Sequence, residues 1–274
     1  EEKTIEIFRK IYRYNTGSRD YPVYKIKPNE EFEESRGKKN VLRMMIDQTL
    51  SLVREYPRSI TIISTLQFGI YFVCNGMLIF FPDILNQTAK YLENSADQNV
   101  ELCEIVESAI KNRKFKQSLG HDMCSESLDL SAYYYALLLE GCYVVGFILV
   151  SLLVNYIGRL AIFSVIFFST GLCGFLIVFV SNPLISAYLY VWLLVCGVNN
   201  NLMNTVTYDL FPTNLRSLAM SISLMCGRFG ALVGGNVAGF LLESHCWSTF
   251  VLSGFVLILS GILTFFIPNI LKRK

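Results

Sequence analysis

The sequence predicts an all-α membrane protein with about six transmembrane helices. Three observations carry this: 53% of residues are hydrophobic, mean hydropathy is +0.42, and the charged residues are segregated rather than spread along the chain. Lys, Arg, Asp and Glu concentrate before Ser59, between Pro82 and Ser131, and in short later loops. With a net charge of only +2, nothing points to a nucleic-acid partner, so lipid is the expected surrounding.

About 20 apolar residues suffice for a helix to cross the hydrocarbon layer of roughly 30 Å. Six stretches qualify: 59–81, 132–154, 160–180, 184–203, 218–242 and 247–267. The links 155–159, 181–183 and 243–246 are too short for anything but antiparallel neighbours. A large soluble protein with buried helices would need polar faces and longer polar connections. Residues 59–268 are therefore read as one bundle, with residues 82–131 as a polar loop.

Ahead of the bundle, residues 1–58 are charged. Ile5, Phe8, Ile11 and Tyr12 recur at helical spacing and predict an amphipathic helix. Gly17, Pro22, Pro28 and Gly37 mark a linker, and residues 41–55 predict a second helix leading toward the membrane. The chain opens on Glu1 with a charged stretch, so it is expected to be a fragment of a longer protein.

Basic residues in short loops set orientation. Arg159, Arg216 and the 269–274 tail, with Leu271-Lys272-Arg273-Lys274, share a side with residues 1–58, which is expected to be cytoplasmic. Residues 82–131, 181–183 and 243–246 then lie outside or in a lumen. Five cysteines, Cys74, Cys142, Cys173, Cys196 and Cys226, fall in apolar runs and are expected to act as small hydrophobes. Cys103 and Cys124 share the 82–131 loop and are a candidate disulfide in an oxidising compartment. Asn86-Gln87-Thr88 is a sequon on the same side, too near the span end to suggest glycosylation. No CxxC pair or His cluster predicts a metal, and no nucleophile, base and orienter predict an enzyme.

A charge at mid-membrane costs at least about 2.5 kcal/mol and requires a reason. Arg228 lies twelve positions beyond Arg216, about 18 Å deeper along a helix, beside the small residues Ala231, Gly235 and Gly239. It is expected either to meet an anionic solute group or to form a structural pair with Glu140. Glu140 can relay a proton, balance Arg228 or face a polar cavity; the sequence leaves these open. Tyr133, Tyr134 and Tyr135 read as an interfacial aromatic belt. In the first span Gln67, Tyr71 and Asn75 form a polar stripe, expected to line a cavity or a helix contact. The fourth span ends on Asn199, Asn200 and Asn201 with Asn204 one turn on, a polar density that fits a pathway or an interhelical contact. Gly230 and Gly234, then Gly235 and Gly239, predict close helix packing.

Two loops carry a resemblance. Asn155-Tyr156-Ile157-Gly158-Arg159-Leu160 resembles the Asp-x-x-Gly-Arg-Arg loop of the major facilitator superfamily. Tyr208-Asp209-Leu210-Phe211-Pro212-Thr213-Asn214-Leu215-Arg216 resembles the acidic-x-aromatic-Pro-Thr-x-x-Arg signature of its organic ion and sugar transporters. The resemblance implies gating loops in which Asn155, Gly158, Arg159, Asp209, Pro212 and Arg216 hold helix ends together. With Asn155 in place of Asp and Leu160 in place of Arg, the first latch is expected to be weaker. Residues 2–23, with Arg9-Lys10-Ile11-Tyr12 and Asn15-Thr16-Gly17, are similar to the start of the inter-half loop of the synaptic vesicle glycoprotein 2 family. At the position of Arg228 that family carries a lysine and organic anion transporters an arginine.

The resemblance implies helices seven to twelve of a twelve-helix fold, with the N-terminal six-helix half as partner. It implies rocking around a midplane site for a small organic, anionic solute, with no cofactor, in the plasma membrane or a secretory or synaptic vesicle membrane. The expected solute contacts are Arg228, Gln67, Tyr71, Asn75, Glu140, Asn200 and Asn204. A vesicle protein that binds partners or regulates secretion with little transport is the alternative.

Overall fold

A computed structural model describes residues 2–16, 41–94, 100–118 and 130–267. Residues 1–50 and 51–274 form two compact units. In the first, α1 (Glu2–Thr16) is the amphipathic helix expected, with Lys10 paired to Glu6 one turn back at 3.2 Å. Next along the chain comes α2 (Val41–Glu55). The proposed linker between them lies outside the described residues.

Six spans build the second unit: α3 (Pro57–Leu78), α6 (Leu130–Ile157), α7 (Arg159–Phe179), α8 (Pro183–Leu194) continuing through a 3-10 turn (Val195–Gly197) into α9 (Val198–Leu210), α10 (Thr213–Ser244) and α11 (Cys246–Thr264). Local chemistry sets their starts. Pro57 and Pro183 occupy first-turn positions where a missing N–H costs nothing. The Asn182 side chain caps α8 by accepting from the N–H groups of Leu184 and Ile185 at 3.1 and 3.4 Å. Gly158, at φ +91°, lets the chain reverse between α6 and α7 in a conformation that side chains resist. Hydroxyls inside the spans satisfy themselves on the preceding turn, as Ser164 on Leu160 and Thr207 on Met203 do.

Two glycine seams hold the bundle. The most extensive contact is α3 on α10. A Cβ on Gly76 would lie 2.8 Å from the Gly234 carbonyl carbon, and one on Gly230 would lie 2.5 Å from the Phe68 carbonyl oxygen. Backbones approach this closely only where side chains are absent, which is the packing the Gly230 and Gly234 spacing predicts. Next in extent is α7 on α11, where a Cβ on Gly174 would lie 2.9 Å from Gly254 Cα.

Three sequence expectations require correction. The helix of the fourth span does not stop at Met203 but continues to Leu210, and two of its asparagines, Asn199 and Asn200, have partners on neighbouring helices. The 82–131 loop is not irregular where described: it holds α4 (Phe81–Asn94) and α5 (Leu102–Ser118). Cys103 is bonded to Cys246, not to Cys124, with Cα atoms 5.5 Å apart and 143 residues between them in sequence; Cys124 lies outside the described residues. The physical reason is placement: α5 packs on α10 and α11, which brings Cys103 to the start of α11.

Candidate functional site

An open cavity of about 230 Å3 lies between α3, α6 and the fourth span. It is lined by Ile70, Tyr71, Cys74, Asn75, Leu78, Glu140, Tyr143, Phe147, Gly197 and Asn200. Four residues singled out in the sequence, Tyr71, Asn75, Glu140 and Asn200, therefore converge from three helices.

One polar chain organises its wall. Gln67 Nε2 donates to Asn200 Oδ1 at 2.7 Å, and Asn200 Nδ2 donates to the Tyr71 hydroxyl at 3.0 Å. Gln67 is completely buried and does not line the cavity. The first-span stripe thus divides: Gln67 ties helices together, and Tyr71 and Asn75 face the open space. Successive helical steps of 100° send the three adjacent asparagines to different neighbours. Asn199 is buried and donates to the Phe163 carbonyl at 3.3 Å, Asn200 serves α3, and Asn201 faces α6 across a second pocket. Asn204 is half-buried and lines neither.

The cavity floor rests on the 3-10 turn. Tyr143 donates to the Leu194 carbonyl at 2.8 Å, and Cys74 Sγ lies 3.6 Å from the Tyr143 hydroxyl. A Cβ on Gly197 would sit 2.9 Å from Cys74 Sγ and 3.0 Å from that hydroxyl, so only glycine fits against them. In the sequence Cys74 reads only as a small hydrophobe, and nothing singles out Tyr143 or Gly197. The available signal was the spacing of Tyr143, one turn beyond Glu140 on the same helix face.

Arg228 stands elsewhere. The packed side of α10 runs through Leu215, Ala219, Ser223, Gly227, Gly230 and Gly234, whereas Arg228 is exposed on the bundle with Met225, Phe229 and Leu232. Among the described residues no carboxylate pairs with it, Glu140 included. Its neighbour Gly227 is nevertheless close to the site, since a Cβ there would meet Gln67 Cγ at 2.9 Å and the Tyr71 ring at 3.0 Å.

At the opposite end of the fourth span, Arg159 forms an ion pair with Asp209. The two resembling loops are thereby joined directly. Arg216 lies over the Tyr208 ring at 5.7 Å, a cation–π distance, and its Nε is buried with no hydrogen-bond partner among the described residues. Pro212 starts α10, its carbonyl accepting from the N–H groups of Leu215 and Arg216 at 3.0 Å. The Asn155 side chain lies outside the described residues.

The described residues thus form six apolar helices long enough to cross a membrane, with four polar side chains gathered on an open cavity among three of them. Residues 114–273 match the Major Facilitator Superfamily over more than half of the chain, and the protein belongs to that family. The match takes in the second to sixth spans; α3 precedes it. No curated protein matches the sequence.

Proposed function

We propose that this chain is the C-terminal half of a transporter for a small organic solute, working by alternating access with an N-terminal half. In this reading Tyr71, Asn75, Glu140 and Asn200 form one wall of the solute path, and Arg228 contacts an anionic group of the solute. The observation that carries it is the convergence of those four polar side chains on one cavity within a facilitator-family bundle. Exposure of Arg228 near the middle of the 32-residue α10 adds to it. A cation turned toward lipid there costs at least about 2.5 kcal/mol, so a wet path or a facing protein surface is its natural surrounding. The loops at Arg159 and Asp209 then lie on the cytoplasmic side with residues 1–58 and the tail.

The regulatory alternative rests on the vesicle glycoprotein resemblance together with a weakened first latch at Asn155. Arg159 nevertheless pairs with Asp209 with Asn155 in place, which weighs against a weakened latch and leaves the resemblance untouched. Uptake of a monocarboxylate by the complete protein in proteoliposomes tests the proposal. Arg228→Ala is expected to weaken apparent affinity about tenfold or more, the scale of one lost charged hydrogen bond, and Arg228→Lys to restore part of it. Unchanged affinity in Arg228→Ala at equal folded amount removes Arg228 from the path.

A further inference from the structure

A second open pocket, of about 250 Å3, continues along the groove between α6 and α9 toward the paired loops. Its lining includes Phe147, Ser151, Arg159, Asn201 and Thr205. Phe147 is the residue that both pockets share. On α6 the residues Glu140, Tyr143, Phe147, Ser151 and Val154 follow one another at intervals of three or four and make one stripe along the groove. On the facing helix Gly197 and Asn200 border the first pocket, and Val198 and Asn201 the second. The two spaces are thus consecutive stretches of one groove.

Three contacts narrow it at the shared residue. The Phe147 ring stacks on Tyr143 with centroids 6.3 Å apart and planes 21° apart. Tyr143 is itself fixed by its 2.8 Å hydrogen bond to Leu194. Beside it, a Cβ on Gly146 would lie 3.2 Å from Val198 Cγ2, so the two helices are in close contact at this level. Phe147 is half-buried, an apolar ring between two spaces that each gather several polar side chains on a mostly apolar lining.

We propose that Phe147 is the partition between two chambers of a single solute path, a midplane chamber at Tyr71, Asn75 and Glu140 and a second chamber at Ser151, Asn201 and Thr205 that ends on the Arg159–Asp209 pair. The inference rests on the transport reading above and adds a second hydrogen-bonding station for a polar solute, with an aromatic side chain between the stations. A rotamer change of one ring is enough to join the chambers, whereas the anchored Tyr143 stays in place.

The test uses the complete protein in proteoliposomes with a reporter thiol at position 75 (Asn75→Cys), measured against the same protein with Asn75 retained. The impermeant probe 2-(trimethylammonium)ethyl methanethiosulfonate is applied separately to the Arg159 face and the Glu243 face. A partition that is open about a tenth of the time or less limits labelling from the Arg159 face, so Phe147→Ala should raise that rate about tenfold or more and Phe147→Trp should lower it. Phe147→Leu, which keeps apolar packing, gives a smaller rise and serves if the alanine variant folds poorly. Labelling of position 75 from the Glu243 face with no change in the Arg159-face rate in either Phe147→Ala or Phe147→Leu overturns the partition and leaves the transport reading standing. A thiol at 75 reached from neither face in any variant overturns both.

Discussion

The first span and the second are both apolar helices of similar length, yet they are held in opposite ways. In Pro57–Leu78, 56% of the apolar window is buried within the bundle, against 11% of Tyr133–Val154. The first is locked to α10 by backbone contact at Gly76, Gly230 and Gly234; the second touches its neighbours along one stripe and leaves Leu137, Val144, Ile148 and Leu152 exposed. Close packing makes α3 and α10 one rigid pair. Sparse packing leaves α6 the least buried of the six spans, and that span carries Glu140 and Phe147.

The sharpest way to break this contrast is to enlarge one glycine on each side of it. Gly234→Val forces a side chain into the Phe72 backbone and is expected to cost about 3 kcal/mol or more, at the upper end of overpacking penalties, read as a fall in thermal midpoint and folded yield in detergent. At Gly141, where an added Cβ meets nothing within 4 Å, Gly141→Ala is expected to be neutral or to stabilise by up to about 1 kcal/mol through helix propensity. Equal losses at the two positions would abolish the distinction.

The bridge between Cys103 and Cys246 extends the rigid side outward, because it fixes α5 to the start of α11. Cys246→Ser is expected to release α5, costing about 2–5 kcal/mol locally, seen as faster hydrogen exchange in Leu102–Ser118 while exchange in α3 and α10 stays slow. If α3 loosens as well, the seam depends on the bridge and not on its glycines.

A smaller effect is expected at the join between the two regions. Asn200→Ala removes the acceptor of Gln67 and the donor to Tyr71, and interhelical hydrogen bonds in membranes average about 0.6 kcal/mol with a maximum near 1.7. A loss of about 1 kcal/mol in unfolding free energy is therefore the expected outcome. A loss several times larger would mean that the polar chain, and not the glycine seam, holds α3 to its neighbours.

Much of this was legible in the sequence for simple reasons. Hydropathy located five of the six spans to within a few residues at most ends, since lipid tolerates little else. It cut the fourth short at Met203, because a window of asparagines reads as the end of a span unless the partners Phe163, Gln67 and Tyr71 are already in view. The stripe of Gln67, Tyr71 and Asn75 announced a polar contact, but its division between buried tie and cavity wall depends on where α9 and Gly227 lie. The partner of Cys103 was not legible: orientation put Cys246 on the same side as Cys103 and Cys124, and composition cannot choose among three thiols. The surroundings of Arg228 were equally out of reach, because a residue type gives the cost of its charge and not what offsets it.

The short 3-10 turn at Val195–Gly197 has a geometric consequence of its own. Each residue there advances about 120° around the axis and rises about 2.0 Å, against 100° and 1.5 Å in an α-helix. Over three residues the downstream rod is rotated by roughly 60° and pushed on by about 1.5 Å relative to an unbroken helix. The amide that reaches the Tyr71 hydroxyl stands three residues beyond this turn, so a continuous helix through the segment is expected to swing that amide away from the hydroxyl.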